Sequence, residues 1–379
     1  MPRLHLLHLL AASLLLVNTA TAQIHNVAAA AGDVIRTRLA DLRPTQGAIG
    51  YDQIFATLAR WNPDYHQTGP ATPDSLRQSL GHKFNSYCSD TGQGKLDAEF
   101  LTHPEKLQQA RLDAPETFSC TAPPGHHAGA LKTVVIGPDN ALYLTDGHHS
   151  FSALYEARDG GADLPVWVRV DQNRSHLPTM TDFWQKMQTE QKAWLKDGNN
   201  HTLRPADLPL NLGLISAENP NGLQNDPYRA LVYFTRNIGY SNKNMVEFGE
   251  FRWAQWLRKH LDLAHYTTTG KSPQTILAAS TLNPATLEKT GSSTSYAAAV
   301  RDAALLMAGA APTEPVSVGH TAASLGQIRL LPDAPAGSAT DRALHRLEAL
   351  TYIAAAPDTV SPRPPGSLWL AVMYRISHP

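Results

Sequence analysis

Apolar and polar positions divide this chain into a β-rich part followed by a helix-rich part. Val34, Ile35 and Leu39 are interleaved with polar residues, which predicts a strand over Val34–Leu39, and Pro44 marks a turn after it. Over Tyr51–Trp61 the residues Ile54, Leu58 and Trp61 recur at helical spacing, predicting a short amphipathic helix. Leu131–Ile136 and Ala141–Thr145 are β-rich runs on either side of Gly137-Pro138-Asp139-Asn140, a hairpin signal. Ser150–Arg158 then carries Phe151, Leu154 and Tyr155 at helical spacing and stops at Gly160-Gly161, before a strand over Leu164–Val170. Strand, turn, strand, helix and strand in this order predict a compact α+β unit.

From residue 179 the pattern is helical. Thr181–Lys196 is expected to be a helix ending at Gly198. Asp226–Gly239 has an N-cap aspartate, Pro227 at the first helical position and Gly239 past the end. Glu247–Leu261 holds Phe248, Phe251, Trp253, Trp256 and Leu257, aromatics at core spacing, and further helices are expected at 295–309 and 340–355. The stretch 62–128 is rich in Pro, Gly, Asp, Ser and Thr, with a helical segment at 103–111, and is long for a connection, so it is expected to be an insertion. The expected organisation is an α+β domain over 34–175 with that insertion, a helical extension over 179–262 and a helical C-terminal region over 263–379.

The first 22 residues add an address. Arg3 precedes an apolar core ending near Val17, and Ala20-Thr21-Ala22 supplies an A-x-A cleavage site, the order of a secretory signal peptide. The mature chain is therefore expected to be periplasmic or secreted. No later stretch approaches the roughly 18 apolar residues of a spanning helix, because the Ala-rich run near 297–312 contains Arg301 and Asp302. Loss of the leader moves the formal net charge from −1 to −2, which argues against a protein held on nucleic acid by a global basic excess and leaves room for a local patch. Cys88 and Cys120 are the two cysteines, and export places them where disulfides persist, so they are expected to be bonded to each other.

Chemistry concentrates in Leu144-Thr145-Asp146-Gly147-His148-His149-Ser150, where a strand hands over to a helix. Free backbone N–H groups and the positive end of the helix dipole make such a junction an anion site. Gly147 permits a tight turn and close approach of a ligand. His148 and His149 can donate to a phosphate, move a proton or ligate a metal, and Asp146 can orient an imidazole or bind a cation. Adjacent histidines cannot both face one way on a helix, so a structural role for one of them stays open. Gly125-His126-His127 repeats the dipeptide, but without the spacing of a metal-ligand set.

The string Leu42-Arg43-Pro44-Thr45-Gln46 with Gly50-Tyr51 downstream, and then Tyr143–His149 opening a helix, resembles the ParB-like nuclease group of the ParB/sulfiredoxin superfamily. Asp226-Pro227-Tyr228-Arg229 and Phe248–Leu257 resemble that group's helical extension, so the likeness covers about 34–60 and 130–262. It implies a small mixed sheet with helices, and a helix start that contacts phosphate through Gly147, His148 and His149. Where the family usually has Arg after the His pair this chain has Ser150, so Arg43 or Arg229 would have to compensate, with Thr45 and Gln46 beside them. The implied activity is that of a nuclease or phosphoesterase in which Asp146, His148 and His149 act on a nucleotide or nucleic acid, with a divalent metal ion as a possible cofactor. The alternatives are a non-catalytic binding module with the same fold and a small-molecule phosphotransferase, which export disfavours.

Overall fold

The computed structural model describes residues 28–66, 70–243, 245–353 and 363–378; the leader at 1–22 lies outside them. The chain is a mixed α+β fold. Strands β1 (Val34–Arg38), β2 (Leu42–Pro44), β4 (Lys132–Ile136), β5 (Leu142–Leu144) and β6 (Pro165–Asn173) form one sheet in the order β1-β6-β4-β5-β2. β4 pairs antiparallel with β5 across the predicted hairpin, and β2 pairs parallel with β5, with Arg43 opposite Tyr143. A second, two-stranded ladder of β3 (Ala48–Ile49) and β7 (Gln224–Asn225) ties the segment after β2 to the later helices.

Alternation explains the strand faces. Val166, Val168 and Val170 of β6 are buried together, facing helices α1 (Tyr51–Trp61), α2 (Pro73–Asp90) and α5 (His148–Glu156), between which Ile54, Leu58, Phe84, Tyr87 and Phe151 complete the core. On the other face Val135 and Tyr143 pack against Phe183, Trp184 and Met187 of α6 (Met180–Thr189). A second core holds Phe234 of α7 (Pro227–Phe234), Trp253 and Trp256 of α8 (Gly249–His260) and Val300 of α10 (Tyr296–Gly309), so the aromatics of α8 are core residues. Short helices α3 (Ala98–Thr102), α4 (Pro104–Gln109) and α9 (Pro273–Ile276) and the longer α11 (Ala339–Ala349) and α12 (Ser367–Ser377) complete the set.

Three elements depart from expectation. The Pro- and Ser-rich stretch after residue 62 contains α2, because Thr72, Pro73 and Ser75 form a capping box: Thr72 accepts from the Ser75 N–H while Ser75 accepts from the Thr72 N–H. Residues that suggested turns are the start signal of an 18-residue helix. The helix expected over Thr181–Lys196 ends at Thr189, since Gln191 takes a left-handed φ of 57° and the Lys192 N–H bonds the Met187 carbonyl at 2.7 Å, a Schellman ending. The following residues run extended instead, with the Trp194 N–H on the Thr45 carbonyl at 2.9 Å. The third is α12, which lies along α1, stacking Tyr374 on Phe55 at 5.6 Å.

Cys88 at the end of α2 is bonded to Cys120, closing a loop of sequence separation 32 over α3 and α4. Removing both sulfurs in a Cys88→Ser, Cys120→Ser chain is expected to lower unfolding stability by about 3–4 kcal/mol, the entropy of closing such a loop. Urea unfolding of the oxidised parent and the double variant measures it, and a difference below about 1 kcal/mol contradicts this role.

Candidate active site at the start of helix α5

The turn after β5 positions the site. Gly147 is the N-cap of α5 at φ 100°, and a Cβ built there would come 2.4 Å from Cγ of Lys132, so glycine suits both the conformation and the space. No side chain caps α5, and among the described residues the N–H groups of His148, His149 and Ser150 have no acceptor. The positive end of the helix therefore opens into a cleft of about 530 Å³.

The two histidines do different work. His148 is buried, and its Nε2 accepts the Thr45 backbone N–H at 3.1 Å. Burial pushes it down to about 3, so the ring is neutral and pegs the end of β2 to the first turn of α5. His149 is half-buried, and its Nε2 accepts the Gly50 N–H at 3.4 Å. Burial above all, then the cations Arg229 and Arg236, hold it well below the ordinary histidine range. With Nε2 an acceptor in this network, the proton is assigned to Nδ1, so His149 offers a neutral donor.

Opposite α5, helices α7 and α8 bring an ionic cluster. The Glu250 carboxylate binds Arg229, Arg236 and the Tyr240 hydroxyl together. Burial favours its neutral form, but Arg229 and Arg236 overcome that and bring it down to about 2. One carboxylate thus faces two guanidinium groups. Arg229, 4% exposed, keeps only Nη2 on Glu250, and its Nε and Nη1 are buried without a partner. Its guanidinium lies 5.3 Å from the Phe251 ring centre. Buried, unsatisfied cationic donors are costly, and an anion in the cleft that Arg229 lines would lower that cost.

The mouth carries exposed Asp146 and also Glu247, whose carboxyl is raised by burial, against Lys192, and further by Asp171 and Asp146. Lys132, lining the same cleft, is paired with Asp90 at 3.0 Å.

Asp146, Gly147, His148, His149, Ser150, Gln46 and Arg229 all line this one cleft. Arg43 and Thr45 are not brought to it. Arg43 donates to the Leu210 carbonyl at 3.0 Å and lines a separate cavity of about 1040 Å³ beside Tyr143, Trp184 and Arg204. Thr45 is fully buried with its hydroxyl on the Leu144 carbonyl at 2.7 Å, and Gln46 Nε2 is on the Ala48 carbonyl at 2.7 Å. Of the two compensating arginines expected from sequence, Arg229 reaches the cleft and Arg43 does not. His126 and His127 stack edge-on at 4.9 Å in an exposed loop, and among the described residues no three His, Cys, Asp or Glu side chains gather as a metal-ligand set. Arg236, Glu247 and Glu250 were not marked by any motif.

A family described as "Putative ParB-like nuclease" matches residues 35–259. The crystal structure of protein Atu1540 from Agrobacterium tumefaciens is similar at a TM-score of 0.42 and 19% identity, covering 73% of this chain and 92% of that one. No curated protein matches the chain.

A neutral, buried His148 ties stability to pH. An unfolded histidine titrates near about 6.5, so this contribution is complete above that pH and is lost as pH falls toward the folded value of about 3. From pH 7 to 5 the loss due to this group is about 2 kcal/mol. His148→Gln, which keeps an acceptor for Thr45, is expected to flatten that limb in urea unfolding at constant ionic strength; equal slopes in the two proteins contradict the assignment.

Proposed function

The chain belongs to the ParB-like nuclease family, and on that premise we propose that it is an exported phosphodiester hydrolase whose substrate phosphate sits between the start of α5 and Arg229. The unpartnered Nε and Nη1 of buried Arg229 carry this reading, because they supply the anion-binding donors that Ser150 cannot. The free N–H groups of His149 and Ser150 and the His149 Nδ1–H complete a donor set for the two non-bridging oxygens.

Water attacks phosphorus from the mouth and gives its proton to Asp146. The new O–P bond forms as the bond to the leaving alkoxide breaks, and the alkoxide takes the proton. Arg229 and the helix start stabilise the charge that develops on the phosphoryl oxygens. A divalent cation bound here would be held by Asp146 and Glu247, an oxygen donor set that suits Mg²⁺ or Mn²⁺, and would supply Lewis-acid polarisation of the phosphate.

A binding module without catalysis is the second reading, favoured by the commitment of both imidazoles to backbone N–H groups. Export rests on the leader and is supported by the Cys88–Cys120 bond.

The test is hydrolysis of bis-p-nitrophenyl phosphate, DNA and RNA with Mg²⁺, Mn²⁺ or Zn²⁺, alongside phosphate-ester binding. Arg229→Gln is expected to weaken binding and turnover by about 10- to 100-fold, the worth of charge-assisted hydrogen bonds. Wild-type affinity and rate in that variant would sink the reading, and binding lost with no turnover in either protein selects the module. For the address, expression with the leader in a secretion-competent host should yield a chain starting at Gln23 by intact mass, whereas a retained Met1 contradicts export.

A further inference from the structure

A smaller chamber of about 210 Å³ opens beside the cleft, and Gln53, His149 and Ser150 line both spaces. Helix α1 contributes Gln53, Thr57 and Arg60 on one face, and α2 contributes His82, Ser86 and Asp90 at four-residue intervals. Nothing in the proposed hydrolysis uses these residues of α1 and α2.

The chamber is short of negative charge. Among the described residues the Arg60 side chain makes no hydrogen bond or ion pair, and Asp90, the acid in the lining, is already held by Lys132. Arg229 and Arg236 in the cleft share Glu250 as their bonded counter-charge, and Arg60 adds a further cation in the chamber next to it. At the junction of the two spaces the Gln53 Oε1 is buried without a donor, a fit for a sugar hydroxyl or a base N–H.

Resting on the phosphate site proposed above, we infer that the side chamber takes a second phosphate of the same ligand, so that the substrate is an oligonucleotide strand and not a mononucleotide or a pyrophosphate. Gln53 stands where the two spaces meet, and its Oε1 calls for a donor between the two phosphates. A pyrophosphate offers Gln53 no sugar hydroxyl or base N–H, whereas two phosphates linked through a nucleoside do.

The experiment is calorimetric titration of the full mature chain, in chelator, with 5′-phosphorylated dithymidylate bearing a phosphorothioate linkage, with 5′-thymidylate and with pyrophosphate. The dinucleotide is expected to bind about 10-fold or more tighter than thymidylate, the gain of one further charge-assisted contact. Arg60→Gln should collapse that ratio towards one and reduce the slope of log affinity against log salt by about 0.7. Arg60→Lys, which keeps the charge, should restore part of the preference and shows that folding is not the cause. A ratio unchanged in Arg60→Gln, or pyrophosphate binding as tightly as the dinucleotide, overturns the inference while leaving the first phosphate site standing. Undiminished binding of all three ligands in Arg229→Gln overturns the site on which it rests.

Discussion

Glu250 sits under the cleft with one negative charge and three claims on it: the guanidinium groups of Arg229 and Arg236 and the hydroxyl of Tyr240. The carboxylate keeps its charge because both cations are beside it, and it cannot satisfy them both. Arg229 is left buried with donors free, and the excess positive charge stays in the cleft. Burial keeps His149 neutral and the same cluster reinforces it, since a further cation beside Arg229 and Arg236 is unfavourable. The properties of the site follow from this imbalance of two cations over one anion.

One close approach and two hydrogen bonds hold the cluster against the α5 start. Gly50 precedes α1, and a Cβ there would stand 2.8 Å from the Ala230 nitrogen of α7, so the glycine lets α1 and the Arg229 helix meet. Its N–H reaches His149, while the Thr45 N–H reaches His148. The consecutive histidines are thus pegs to two consecutive stretches of backbone, β2 and the start of α1. That use satisfies backbone donors which the short strand leaves unpaired, and it brings the helix start and Arg229 into one space.

The C-terminal helices support the same wall from behind. Asp52 of α1 is buried and accepts from the Tyr296 hydroxyl at 2.9 Å and from Arg375 Nη1 at 2.6 Å, one partner on α10 and one on α12. Helix α1 carries Gln53 on the cleft side and Asp52 on the C-terminal side, so the region past residue 263 anchors a helix that lines the site. A buried carboxylate with two satisfied bonds is costly to break, which gives that anchoring its specificity.

Much of the framework was legible in the chain itself. The period-two runs became β1, the β4–β5 hairpin and β6, and the 3.6-residue patterns became α1, α5, α7, α8 and α10, because local periodicity decides which face of an element is apolar. The strand-to-helix turn at Asp146-Gly147 and the Cys88–Cys120 bond were legible for equally local reasons, the conformation only glycine adopts easily and the presence of two cysteines with each other to pair with. Helix α2 was hidden because its capping residues are also turn residues, and the end of α6 because nothing in Gln191 announces a left-handed conformation. Tertiary structure alone chose Arg229 over Arg43: both stand beside marked motifs, but side chains alternate along a strand, and β2 turns Arg43 away from the cleft toward Leu210. It alone also joined Arg229, Arg236 and Glu250. That junction depends on how α7 packs on α8, a matter of shape and charge between elements that no local pattern of residues encodes.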